Sequence, residues 1–133
     1  MKRYFTPEQA DRLLPFIKPT IARLVTLRSE LEDLVSDPEA GRVLDLPAQL
    51  RGPASELIER IHGEMRSLQE TGILIKGLEA GLVDFWARKE GREVFLCWRL
   101  GEGGVGWWHE VEGGFSGRKP LQRDDVFRGT ELN

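Results

Sequence analysis

The chain has 133 residues, 40% hydrophobic and 31% charged, with 19 basic side chains against 22 acidic ones. One domain with a modest core is expected, and the near balance of charge argues against the strong cationic field that a phosphate-tracking nucleic-acid binder needs. MKRYFTPEQA has no apolar signal region and no run approaches the ~18 apolar residues of a membrane span, so a cytoplasmic protein without a membrane partner is expected.

Thr6-Pro7-Glu8-Gln9 reads as a helix start: an N-cap, proline at the first helical position and Gln placed to complete a capping box, with Phe5 as a hydrophobic staple. Leu13, Leu14, Ile17, Ile21, Leu24, Leu31, Leu34 and Val35 follow at helical spacing. Pro15 and Pro19 each remove a donor, which predicts a kink or a break. The helix is expected to stop near Ser36-Asp37-Pro38. Asp37 to Gly52 reads as a loop with Val43, Leu44 and Leu46 tacked onto the hydrophobic surface.

A second helix is expected from Gly52-Pro53 to Thr71-Gly72, with a stripe of Leu57, Ile58, Ile61, Met65 and Leu68. Gly63 within it suggests a close approach to the first helix, and His62 reads as a boundary residue. A straight helix from Pro7 to Val35 would run roughly 40 Å, against a diameter of about 36 Å for a compact monomer of this size. That overhang points to a homodimer.

The sheet follows. Ile73–Lys76 reads as a short strand or extended linker, and Leu82–Arg88, Glu93–Leu100 and Val105–Val111 as clear strands. A three-residue turn at Lys89-Glu90-Gly91 would pair Arg88 with Arg92, and Leu100 would pair with Val105. This register puts Asp84, Trp86, Leu96, Trp98, Trp107 and His109 on one face, and Phe85, Phe95, Cys97, Arg99 and Glu110 on the other. Both faces carry large apolar groups, so one needs a cover other than the helices. Asp84 and His109 would flank Leu96 with Cα atoms roughly 10 Å apart, too far for a direct pair without curling.

Gly81 to Leu121 holds all four tryptophans, the only cysteine and most of the glycines, which marks it as the functional region. Asp84 is a lone carboxylate in an apolar strand and needs a partner. His109 and Glu110 complete the candidate acid/base set, although neighbouring strand residues point to opposite faces. Glu79 is a further carboxylate for a metal, but two histidines in the whole chain argue against a metal site, and none is expected. Arg118, closing the turn GGFSGR, and Arg99 are candidate anion-binding forks, with Trp98 and Trp107 as aromatic walls. Ser116 lacks the context of a nucleophile. Cys97, alone, permits no disulfide and reads as a small core residue.

YFTPEQADRLLPFIKP, GLVDFWA, GREVFLCWRLGE, WWHE and GFSGRKPL together resemble a bacterial family catalogued as domain of unknown function 2203, over nearly the whole chain. The resemblance implies a small cytoplasmic bacterial protein and carries no reaction, ligand or cofactor. Trp86 stands where a proline is expected in that family's pattern.

The expected architecture is α+β: a long antiparallel helical hairpin (about 6–72), a three- to four-stranded antiparallel sheet (about 73–121) and a polar tail (122–133) held by Val126 and Phe127, in one domain. The expected function is a dimeric binding module with an aromatic- and arginine-lined pocket on its sheet, taking a small anionic ligand. The alternative is a small enzyme using Asp84 and His109 as acid/base or metal-ligand groups, with Arg118 on an anionic substrate.

Overall fold

The computed structural model of the chain describes residues 2–35, 43 and 46–130. Helix α1 spans Pro7–Leu34 and α2 spans Ala48–Gln69. Five strands follow: β1 (Leu74–Gly77), β2 (Leu82–Lys89), β3 (Arg92–Arg99), β4 (Trp107–Glu110) and β5 (Lys119–Pro120). Each pairs antiparallel with the next in chain order. The fold is α+β as expected, with five strands rather than three or four. The short strand read at Ile73–Lys76 is β1, and the strand beyond the expected four is β5. No described helix is long and apolar enough to cross a membrane.

The capping box forms as read: Gln9 N donates to Thr6 Oγ1 at 3.2 Å, and Thr6 N donates to Gln9 Oε1 at 3.0 Å. Phe5 is fully buried and meets Phe85 of the sheet edge-on at 5.2 Å. Pro15 and Pro19 lie inside one uninterrupted α1. Both rings are on the exposed face, where water can satisfy the carbonyls they leave without a donor. Leu14, Ile17, Ile21, Leu24 and Leu27 are buried within the chain itself. The apolar stripe is therefore covered without a partner from Leu14 to Leu27, while Leu31, Leu34 and Val35 at the helix end are half-buried.

Helix α2 starts four residues before the expected Gly52, at Ala48, so Pro53 sits inside it on its exposed side. Leu46 is tacked down and buried as expected and Val43 is half-buried, whereas residues 36–42, Leu44 and residue 45 lie outside the described residues. Gly63 makes no close helix approach, since a Cβ there would meet only Arg66, at 3.9 Å. His62 is exposed.

The β2–β3 turn has two residues, Glu90 (φ 54°) and Gly91 (φ 78°). Two successive positive φ values make the type I′ geometry that matches strand twist. Lys89 therefore pairs with Arg92, one residue from the expected register. Cys97 pairs with Trp107 on the other side, again one residue off. The two slips add to two residues between β2 and β4, an even number that leaves the facing of those strands unchanged, so only β3 is turned over. Leu96 and Trp98 face the helices with Val83, Phe85, Ala87 and Trp108, and form the core there. Phe95 and Cys97 join Asp84, Trp86, Trp107 and His109 on the outer face.

That outer face is covered by its own long side chains. Trp86 packs on Phe95 at 4.2 Å, the Lys76 ammonium lies 4.6 Å over the Phe95 ring, and Lys2 lies 4.0 Å over Trp86. These side chains supply the cover that the face was expected to need. The segment after β5 is fastened at Phe127, buried against Trp108, whereas Val126 is 65% exposed and holds nothing. Arg88 and Arg128 exchange backbone hydrogen bonds, and Thr130 N donates to Tyr4 O.

Candidate functional site

Three neighbouring strands each bring one titratable side chain to the middle of the outer face: Asp84 from β2, Cys97 from β3 and His109 from β4. All three are at most 2% exposed. Asp84 and His109 sit one strand apart on either side and two residues out of row, so their Cα atoms are separated by roughly 11–12 Å. The side chains close that span by leaning over β3, and His109 Nε2 lies 3.0 Å from Asp84 Oδ2. The direct pair, which the expected register placed out of reach, thus forms without one row facing the other. The small Cys97 side chain beneath leaves room for it.

The other ring nitrogen settles the tautomer. His109 Nδ1 is 2.6 Å from the Glu110 carbonyl oxygen, which can only accept, so Nδ1 carries hydrogen. Nε2 and Asp84 Oδ2 then share a single proton. Burial raises the Asp84 carboxyl above its ordinary range, opposed in part by His109, by the Cys97 thiol and by Lys76. The second carboxyl oxygen, Oδ1, is buried without a hydrogen-bond partner among the described residues. Burial and the nearby Asp84 push the Cys97 thiol up to about 12, so it stays protonated and is a poor nucleophile.

Glu110 does not join this group. It faces away and takes a two-pronged ion pair from Arg92, whose Nε lies 3.0 and 3.1 Å from its oxygens, and this holds its carboxyl below the usual range. Glu79 is likewise committed elsewhere, to Arg28 at 2.9 Å.

Arg118 lies at the rim of the outer face. Its guanidinium is 4.6 Å from the Trp107 ring and 4.6 Å from the Phe115 ring. One nitrogen donates to Glu102 Oε2 at 2.5 Å, while Nε is buried with no partner among the described residues. The other Glu102 oxygen accepts the Arg99 amide at 2.7 Å, and the Arg99 guanidinium lies 5.7 Å from Phe115. Arg99, Arg118 and Trp107 therefore come together at this rim, although the expected register had put Arg99 and Trp107 on opposite faces. Trp98 does not: it is fully buried on the opposite face, where its Nε1 donates to Gly103 O at 3.1 Å.

A family model described as an uncharacterized conserved protein, DUF2203, matches residues 3–121. The chain belongs to that family. The DUF2203 match includes Asp84, Cys97, His109 and the whole Arg118 rim, and stops before Phe127. No curated protein and no solved structure matches the chain.

Sequence reading missed Cys97, Glu102 and Phe115. Cys97 became visible only with the correct β3 register. The signal for that register was the Glu90-Gly91 pair, read as part of a longer turn. Glu102 and Phe115 lie in glycine-rich turns whose direction no periodicity reveals.

Proposed function

We propose that the protein is a binding module that takes a small carboxylate or phosphate ligand at the Arg99–Arg118 rim. The observation that carries this reading is the state of Arg118. A guanidinium held between two aromatic rings loses little freedom on binding, and here, among the described residues, it keeps a buried Nε without a partner beside one ionic partner. Glu102 already occupies part of the fork, so it acts as an internal competitor for an incoming anion. Trp107, 36% exposed, lies on the same fork and reports occupancy.

The test is titration of the protein with inorganic phosphate and a panel of small mono- and dicarboxylates, followed by tryptophan fluorescence and calorimetry. Saturable binding by wild type that disappears in Arg118→Lys, with the thermal midpoint unchanged, is expected. No saturable response across the panel, or an equal response in Arg118→Ala, would remove the reading.

The acid/base alternative is favoured by one observation, the Asp84–His109 contact at 3.0 Å. It requires solvent to reach His109 in the folded protein. Diethyl pyrocarbonate distinguishes the two histidines: modification of both supports a reachable dyad, and modification of exposed His62 alone ends that alternative. A homodimer enters this proposal only through Phe16, 78% exposed on α1. Its test is sedimentation of wild type against Phe16→Ala, where two monomers would dismiss it.

A further inference from the structure

We infer that Asp84, Cys97 and His109 form a binding site for one divalent transition-metal ion of the zinc class. A carboxylate oxygen, a sulfur and an imidazole nitrogen from three adjacent strands lie within 4.8 Å of one another. The histidine count argued against a metal because it left out the cysteine, which the expected register turned into the core.

Four features of the cluster fit an ion. The donors are oxygen, nitrogen and sulfur, the mixture that zinc and cobalt accept and that magnesium and calcium do not. Metal-to-ligand bonds of about 2.0–2.3 Å put neighbouring tetrahedral donors roughly 3.3–3.8 Å apart. The 3.0 Å between Asp84 and His109 therefore needs only a few tenths of an ångström of spreading. The Nδ1 bond to the Glu110 carbonyl is the kind of outer contact that fixes a ligating imidazole, and it leaves Nε2, beside Asp84, to bind an ion once the shared proton is displaced. Finally, Asp84 Oδ1 is a buried acceptor with no partner, in a residue 1% exposed.

Charge balance points the same way. Binding displaces the thiol proton and the proton shared by Asp84 and His109, leaving a thiolate, a carboxylate and a neutral imidazole. Their summed charge of about −2 is cancelled by a divalent cation, so the occupied site is neutral where a net buried charge would be costly. Among the described residues no fourth His, Cys, Asp or Glu joins the three, so a water or a ligand donor completes four-coordination. This inference does not depend on anion binding at Arg118.

The experiment uses the whole chain, refolded with one equivalent of Co(II) or Zn(II) because the site is closed to solvent, and in parallel the folded protein mixed with the same ions. The expected result is one ion per chain, with a thiolate-to-cobalt charge-transfer band and the intense visible bands of a four-coordinate centre. Cys97→Ser and His109→Gln should each weaken binding roughly 100-fold or more, while His62→Gln should leave it unchanged. If those variants fail to fold, the cobalt spectrum of wild type decides alone. Absence of the charge-transfer band after refolding, or equal retention of metal by wild type and a folded Cys97→Ser, overturns the inference.

Discussion

The Asp11 carboxylate on α1 accepts the Val105 amide at 2.7 Å, joining a helix to the turn before β4 across 94 positions of sequence. An amide held by a charged acceptor is worth about 1.5–3 kcal/mol, less where water competes. Asp11→Ala is therefore expected to lower unfolding free energy by about 1–2 kcal/mol in urea denaturation. Asp11→Asn, which keeps an acceptor, should recover most of the loss. Equal losses in the two variants would show that charge rather than this bond is at stake.

Gly81 and Gly91 both have positive φ, 65° and 78°, but only Gly81 is hemmed in. A Cβ on Gly81 would lie 2.7 Å from Leu100 Cβ and 3.0 Å from Ile21 Cγ2, whereas one on Gly91 meets nothing within 4 Å. Gly91→Ala should cost only the backbone penalty of about 1–2 kcal/mol. Gly81→Ala adds overpacking and should cost about 2–4 kcal/mol in total. Matching urea midpoints for the two variants would contradict the close contact.

Glu93 accepts the Tyr4 hydroxyl at 2.5 Å and Lys2 at 3.1 Å, and these bonds hold its carboxyl below the usual range. A lowered folded-state value stabilises the fold above the unfolded value of about 4.3 and loses that contribution as pH falls through the folded one. The gap in urea midpoint between wild type and Glu93→Gln should accordingly be widest near neutral pH and narrow below about pH 4. A gap constant from pH 7 to 3 would assign the effect to shape instead of charge.

Phe127 is 8% exposed and Val126 is 65% exposed on neighbouring positions. Phe127→Ala should cost about 3 kcal/mol, and Val126→Ala should stay within about 0.5 kcal/mol. Truncation after Leu121 should cost more than Phe127→Ala, because it also removes the Arg88–Arg128 backbone bonds of 3.1 and 2.8 Å. Thermal unfolding of the three variants checks the order, and a silent truncation would show that the family-matched region stands without this segment.

Much of this molecule was legible before its structure. The Thr6–Gln9 box, the α1 stripe and the alternation within β2 and β4 are local signals, and each appears where the residues put it. Asp84 and His109 were assigned to one face correctly because the two register slips add to an even number of residues, which preserves the facing but not the row. What failed was non-local. A single residue of turn length inverted β3, sent Trp98 into the core and brought Cys97 to Asp84. The alternation of β3 could not arbitrate, since Phe95, Leu96, Cys97 and Trp98 are apolar on both faces. The early start of α2 escaped for a different reason: Pro53 looks like a first turn, yet its exposed ring is tolerated five residues in.

Tyr4 and Thr130 hold each other by two hydrogen bonds, Tyr4 N to Thr130 Oγ1 at 2.7 Å and Thr130 N to Tyr4 O at 2.8 Å. A ribosome adding 5–20 residues per second delivers these partners roughly 6–25 s apart. Only in the last part of that interval, once Leu121 has been added, does the nascent chain have its first helix and its strands but not Phe127 against Trp108 or the strap beside Tyr4. The pace of translation thus sets how long the unfinished end of the sheet stays open to other chains.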